Sequence, residues 1–292
     1  VVDDACPVAD RAVLTHGQVI EALVANRLTS PAPLVHVQAW AHEWAVGETL
    51  GVEPGLLNDD RVGRALDAIA PRLDQIAGSV GVRAIEAFGI DVARIHWDMT
   101  SISMHGDYEQ LQEGFAAPKF GHPKDRRPDL KQVQAGIAVS GDGGVPVFHR
   151  AFDGGAGEVG QVIPVMKALQ QMATRRDLLI VGDSKLISYA NLAAMDGQGV
   201  RFVAPASKAY VPVAELAGLL VLAATAVDYV AGRDADKPAD RRGTWHVIED
   251  LMSLAGPRKK DSVLRLRRVF VHSSAREAAT STAPRQQTSA SP

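Results

Sequence analysis

Gly141-Asp142-Gly143-Gly144 stands between two runs of alternating apolar residues, Val133 to Val139 and Val145 to Phe152. Glycine and aspartate adopt the backbone angles of a tight turn at little cost, and the alternation on either side has the period of a strand. The segment therefore reads as an antiparallel hairpin. A hairpin cannot bury a core alone, so its surroundings decide the class. Ile95 to Ser103 alternates like a third strand. Leu178 to Val181 is short and wholly apolar, as a strand in the middle of a sheet is. Val200 to Ala204 and Val263 to His272 are two more strands. Val162, Val165, Met166, Leu169 and Met172 recur at helical spacing, and Ser188 to Met195 reads as a helix stopped by Gly197 and Gly199. The order strand, hairpin, helix, strand, helix, strand predicts an α/β fold with a mixed sheet and flanking helices.

The stretch before this region is of another kind. Ile20, Leu23, Val24 and Leu28 mark one helix, and Val37, Trp40, Ala41, Trp44 and Ala45 another. Asn58 caps a third, whose buried face carries Val62, Leu66 and Ile69, and Pro71 kinks it or starts the next. Residues 1–89 are thus expected to form an all-α N-terminal domain, and residues 90–272 the sheet domain. Leu216 to Val227 is the most apolar window and reads as a buried helix, too short to span a bilayer. Gly232 to Gly243 is a charged loop. Residues 273–292 hold almost no large apolar side chain, and a disordered tail is expected there.

Composition narrows the setting. The single cysteine, Cys6, excludes an internal disulfide and any cysteine-based zinc site, and reads as a structural thiol. The opening Val-Val-Asp-Asp does not read as a signal peptide and no membrane partner is expected, so a reducing cytoplasmic compartment is the expectation. The chain starts at Val1, which suggests a start inside a longer reading frame. A net charge of −3 speaks neither for nor against nucleic acid, so local patches must.

Two aspartates draw attention by position. Asp98 lies in the strand His96-Trp97-Asp98-Met99-Thr100-Ser101, and Asp183 ends the apolar strand in Leu179-Ile180-Val181-Gly182-Asp183-Ser184-Lys185. A carboxylate inside or just after a core strand is costly unless it is paired or metal-bound. Ligands also gather at the carboxyl ends of strands in open α/β sheets. If the two strands are neighbours the carboxylates converge, and hard oxygen ligands suit Mg²⁺ or Mn²⁺. Paired metals roughly 3.5–4 Å apart can activate water and stabilise the leaving oxygen in phosphodiester cleavage. For either aspartate alone, a helix cap or an ion pair is the plainer expectation.

Several segments together resemble one family. Asp98-Met99-Thr100-Ser101 looks like the first-aspartate motif of bacterial insertion-sequence transposases of the Asp-Asp-Glu type. Phe120-Gly121-His122-Pro123-Lys124-Asp125-Arg126-Arg127-Pro128-Asp129-Leu130-Lys131-Gln132 is similar to a block Tyr-Gly-x-Ser-Lys-Asp-x-Arg-Pro-Asp-Leu-x-Gln found in one group of them. Val181-Gly182-Asp183-Ser184 resembles the second-aspartate motif. Leu57-Asn58-Asp59-Asp60-Arg61-Val62-Gly63-Arg64-Ala65-Leu66-Asp67 is similar to a block in that group's helical N-terminal domain. The resemblance implies an RNase H-like sheet domain. It makes Asp98 and Asp183 the catalytic, metal-holding residues for Mg²⁺ or Mn²⁺. A water, and then the 3′-hydroxyl of an element end, would attack phosphorus. Element-end DNA would be the partner, in a nucleoid-associated setting that leaves room for a homo-oligomer. Lys124, Arg126, Arg127 and Lys131 of the basic block are the expected DNA contacts. A second basic segment, Arg258 to Arg268, serves equally well as a solvated face.

One part of the family pattern is missing. The third acid of such transposases is a Glu in a Tyr-x-x-Arg-x-x-x-Glu setting, and Glu215, Glu249 and Glu277 all lack it. A truncated, inactive transposase is therefore expected, which could still bind DNA or inhibit full-length subunits. A competing reading takes Gly155-Ala156-Gly157-Glu158-Val159-Gly160 as the G-x-G-x-x-G fingerprint of an NAD(P)-dependent oxidoreductase. Asp183 follows about 20 residues later, where a ribose-binding acid would sit. His149 and Arg150 in the preceding strand count against it. A haloacid dehalogenase-type phosphatase is set aside, because Asp98 is followed by Met99 and Thr100 and not by an Asp-x-Asp pattern.

Overall fold

Thr15 and Asn58 cap two of the helices that build the N-terminal core. A computed structural model describes residues 1–109, 113–172, 178–212, 214–215 and 224–282, and the statements below concern those residues. The first segment forms α1 (Val2–Ala5), α2 (His16–Leu28), α3 (Val37–Glu43), α4 (Val46–Leu50), α5 (Asp59–Ile69) and α6 (Leu73–Phe88). Thr15 Oγ1 accepts from the Gln18 amide at 3.1 Å, and the Gln18 side chain accepts from the Thr15 amide at 2.9 Å. Asn58 Oδ1 accepts from the Arg61 amide at 2.9 Å, with Asp59 and Asp60 in the first turn facing the positive end of the helix dipole. Caps of this kind contribute about 1 kcal/mol each. Val19, Ala22 and Leu23 of α2, Val37, Trp40 and Ala41 of α3, and Val62 and Ala65 of α5 form one buried cluster. Cys6 is buried, and its thiol donates to the Ala68 carbonyl.

The buried stripe of α2 differs from the expected one. Val24 and Leu28 are exposed, while Asn26 is fully buried. Most of α2 is apolar, so spacing alone does not choose its inward side. Asn26 does: its side chain donates to the Ser30 carbonyl and accepts from the Ala32 amide, tying down the chain as it leaves the helix. Trp44 is likewise exposed, beyond the end of α3.

The sheet follows. It holds β1 (Arg94–Met104), β2 (Lys131–Ser140), β3 (Pro146–Asp153), β4 (Leu179–Val181) and β5 (Arg201–Val203), with α7 (Glu158–Met172) between β3 and β4. The strand order is β3-β2-β1-β4-β5. The first three strands are antiparallel neighbours, and β4 runs parallel to both β1 and β5. This is an RNase H-like mixed sheet behind an all-α segment, the expected class. The hairpin turn closes where the glycines predict, with Gly144 at a φ of 65° and its amide donating to the Ser140 carbonyl.

Alternation along β1 gives the sheet two different faces. Ile95, Trp97 and Met99 are buried, whereas His96, Asp98 and Thr100 point to the exposed side. The Trp97 ring lies across Gly136 of β2, where an added Cβ would come within 2.1 Å of it. Phe148 of β3 stands beside the same indole, with ring centroids 6.4 Å apart.

The division into compact units does not fall at Gly89. Val1–Asp183 with Gln198–Val203 forms one unit, because α6 packs against β3 and joins the helices to the sheet. Ser184–Gly197 with Ala204–Pro292 forms the other. Its described parts include α8 (Tyr189–Gly197) and a second, antiparallel sheet of β6 (Thr225–Val227), β7 (Trp245–Leu254) and β8 (Leu264–Ser273), in that order. Residues 216–223 of the expected apolar helix lie outside the described residues, and Thr225–Val227 is an exposed strand instead. Strand β7 escapes hydropathy because Glu249 and Asp250 interrupt it. Both are neutralised across the ladder, Glu249 by Arg267 at 2.5 Å and Asp250 by Arg268 at 2.5 Å. The expected disordered tail also needs correction. Ser274–Thr282 forms α9, for which Ala275, Ala278 and Ala279 supply high helix propensity, and Glu277 pairs with His272 at 3.2 Å. Residues 283–292 lie outside the described residues. No helix among the described residues is long and apolar enough to cross a membrane.

The contact of Trp97 with Gly136 makes a direct prediction. Gly136→Ala should lower stability by about 1–3 kcal/mol through overpacking, read as a reduced urea midpoint. Gly63→Ala, in open space on α5, should leave stability unchanged or raise it by up to about 1 kcal/mol.

Candidate active site

The pairing of β1 with β4 relates the two aspartates that the sequence singles out. Across the parallel ladder Ile95 faces Ile180 and His96 faces Val181. Asp98 stands two residues beyond His96, and Asp183 two residues beyond Val181. In a parallel pair, residues at matching register point to the same side, and the strands lie about 4.8 Å apart. Pairing of β1 with β4 stops at Val181, and the chain turns away at Ser184–Leu186. Meanwhile Gly182 still donates its amide to Val203 of β5 at 3.1 Å.

Neither carboxylate is buried. Asp98 is on the exposed face of β1 with 67% of its side chain accessible, and Asp183 is exposed as well. The cost of burying a charge, which singled them out in the sequence, is therefore not incurred. The alternation that buries Trp97 and Met99 turns Asp98 outward.

Lys124 meets Asp98 from outside the sheet. Its ammonium is 3.5 Å from Asp98 Oδ1 and 3.9 Å from Glu158 Oε1, and it donates to the Met99 carbonyl. Glu158 opens α7 and is only 16% exposed. The sequence passed over Glu158 as a member of a glycine-rich turn. The signal available was an acid at a helix start after a strand of the same sheet.

The basic block is a loop moored at both ends. The Lys124 amide donates to Ser101 Oγ at 2.8 Å, and Ser103 Oγ donates to Asp125 at 2.6 Å, so two β1 side chains hold the loop beside Asp98. At its base, Lys119 and Gln132 pair through their backbones. The fully buried Gln132 side chain donates to the Gly154 carbonyl at 2.9 Å. An added Cβ on Gly154 would sit 1.9 Å from the Gln132 carbonyl, and one on Gly121 would sit 2.4 Å from that of Gly154. Phe120-Gly121 and Gln132, the outer residues of the block, thus shape the loop, and of its inner residues Lys124 reaches Asp98.

Most cations of the block are engaged within the protein. Arg127 makes a two-pronged ion pair with Asp129 at 2.9 and 2.7 Å, Lys131 donates to the Asp107 carbonyl, and Lys119 pairs with Asp153 at 2.5 Å. Arg126 is exposed, sits at a positive φ of 61°, and its side chain has no hydrogen bond or ion pair among the described residues. The later glutamates are engaged as well. Glu215 pairs with Arg268 at 2.6 Å, Glu249 with Arg267, and Glu277 with His272. Among the described residues no cluster of three or more His, Cys, Asp or Glu side chains is gathered as a metal cage.

The dinucleotide reading does not survive the fold. Its glycine-rich turn follows β3, an antiparallel edge strand, and not the central strand of a parallel βαβ unit. An added Cβ on Gly160, the third glycine, would meet nothing within 4 Å, so it does not serve the close helix–strand packing that the fingerprint requires of it.

Comparison with known proteins gives three findings. Residues 1–72 match a domain of unknown function, DUF4277. No curated protein matches the chain. Among solved structures the chain is similar to a Mos1 transposase paired-end complex with left transposon end, at 10% identity and a TM-score of 0.27, covering 68% of this chain and 62% of that one. It is similar to a Mos1 mariner paired end complex with Mn at 9% identity and a TM-score of 0.27, with coverages of 70% and 62%. It is also similar to a piggyBac transposase synaptic complex with hairpin DNA at 11% identity and a TM-score of 0.41, with coverages of 82% and 52%. The chain spans less than two thirds of the length of each of these.

The loop mooring carries a pH prediction. Asp153 accepts from the Lys119 ammonium and from the Ala117 amide, which hold its carboxyl below the usual carboxylate range. A depressed folded pKa gives stability that is present above the unfolded value, about 3.9, and is lost as pH falls through the folded value. As pH falls below about 3.9 the protection of the Ala117 amide against hydrogen exchange should decline, before the amides of β1 are affected.

Proposed function

We propose that this chain carries the catalytic core of an insertion-sequence DNA transposase, with Asp98 and Asp183 as the residues that hold Mg²⁺ or Mn²⁺. The observation that supports it most is the parallel pairing of β1 with β4, in which His96 faces Val181 and each of Asp98 and Asp183 follows a paired residue by two positions. The donor chemistry agrees. Asp98 Oδ1, the Met99 carbonyl and Glu158 Oε1 already surround one cation, the Lys124 ammonium, and hard oxygen donors are what these metals select. The chemistry a bound divalent ion supplies is activation of the attacking hydroxyl and charge relief at the leaving oxygen.

In this reading the chain's own residues divide the work. The aspartates fix where the scissile phosphate sits. Ser101 and Ser103 hold the basic loop over that place, and Arg126 projects towards the DNA backbone, where a cation contributes affinity without sequence information. Arg127 and Lys131 contribute after exchanging Asp129 and the Asp107 carbonyl for phosphate oxygens. The insertion-sequence assignment rests on the ordered block Phe120 to Gln132. None of Glu215, Glu249 or Glu277 is proposed as the third acid, since each lacks the Tyr-x-x-Arg-x-x-x-Glu setting.

The test uses supercoiled plasmid and a short duplex with Mn²⁺. Without a third acid the chain should retain the duplex in a metal-stimulated way in a gel and nick DNA weakly or not at all, and Asp98→Asn and Asp183→Asn should each reduce the retention, and any nicking with it, by about 100-fold. If both signals persist unchanged in both variants, or neither depends on Mn²⁺, the reading is wrong.

A further inference from the structure

Lys124 occupies the position that a metal at Asp98 would contest. Three oxygens of different origin face its ammonium: the Asp98 carboxylate of β1 at 3.5 Å, the Met99 carbonyl next to it, and the Glu158 carboxylate of α7 at 3.9 Å. The side chain is not there by accident of a floppy loop. Its own backbone amide is fixed to Ser101 Oγ at 2.8 Å, and the following residue, Asp125, is fixed by Ser103 at 2.6 Å. Asp98 is spatially constrained too, since its Oδ1 accepts from the Met99 amide at 2.8 Å.

We infer that Lys124 is a positioning residue that acts as an internal counter-ion for Asp98 and Glu158, is displaced by a divalent metal, and on displacement becomes a phosphate contact. The inference rests on the proposed metal role of Asp98 and adds regulation of that same site. Asp98 and Glu158 are like charges within reach of one ammonium, whose positive charge lowers the cost of holding both there while no metal is bound. A divalent ion at Asp98 then repels the ammonium. The loop hydrogen bonds from Ser101 and Ser103 keep Lys124 beside the site, so the freed ammonium is left where a scissile phosphate would lie. Metal binding and DNA binding are coupled through one side chain, and by linkage each strengthens the other.

The sign of the effect separates this role from a merely structural one. Mn²⁺ is titrated calorimetrically into the whole chain, as wild type, Lys124→Met, Lys124→Gln, Asp98→Asn and the double variant Asp98→Asn/Lys124→Met. Loss of the ammonium should tighten Mn²⁺ binding about tenfold in both Lys124 variants. The double variant should bind no better than Asp98→Asn alone. A structural role predicts weaker binding instead. For DNA, the slope of log affinity against log salt should fall by about 1 on Lys124→Met when Mn²⁺ is present, and hardly change when it is absent. Equal or weaker Mn²⁺ binding by both Lys124 variants, with wild-type binding still dependent on Asp98, overturns the inference and leaves the proposed function standing. Mn²⁺ binding that ignores Asp98→Asn overturns both.

Discussion

The parallel ladder between β1 and β4 is the constraint on which the rest depends. Only a short stretch of pairing is present, Arg94 to His96 against Leu179 to Val181, yet it fixes the polarity of the sheet. It obliges the chain to cross over through α7 after the antiparallel hairpin, and it makes β4 end beside the first part of β1, two residues before Asp98. Its neighbours reinforce it. The Leu179 amide donates to the Ala93 carbonyl at 2.8 Å, and Ile95 and Ile180, which face one another, are both buried. An antiparallel β4 would have sent the chain after Val181 in the opposite direction, away from the Asp98 side of His96.

A second constraint acts at one remove from the site. Gln132, buried without charge, ties the foot of the basic loop to the Gly154 carbonyl, and the crowding around Gly121 and Gly154 leaves no room for a side chain at either place. The loop is therefore a defined object rather than a flexible basic arm. A defined loop can hold one lysine against one aspartate, whereas a flexible arm would average its charge over the surface. Several of the loop's charges are satisfied internally, which accounts for a cationic motif in a chain whose net charge is −3.

Much of this was legible in the sequence, for identifiable reasons. The hairpin was legible because Gly141 to Gly144 leaves the backbone few alternatives. Strand β4 was legible because only a central strand is apolar at every position. The caps at Thr15 and Asn58 follow local chemistry, although only Asn58 was singled out. The features that were missed depend on distant partners. The inward side of α2 is decided by Asn26 and its bonds to Ser30 and Ala32, not by apolar spacing. Strand β7 is hidden because Glu249 and Asp250 look like solvent residues until Arg267 and Arg268 arrive from β8. For the candidate site, the two aspartates and the basic block could be named in advance. Their exposure, the place of Lys124 and the involvement of Glu158 could not, because those follow from how a loop and a helix start meet β1.

The most direct test of the central claim is anomalous diffraction at the manganese edge, from crystals of the whole chain grown or soaked with Mn²⁺. The account predicts an anomalous peak in contact with the carboxylates of both Asp98 and Asp183, with the Lys124 ammonium moved off Asp98. A peak that touches neither aspartate, or two aspartates too far apart to share an ion while Lys124 stays in place, would contradict it.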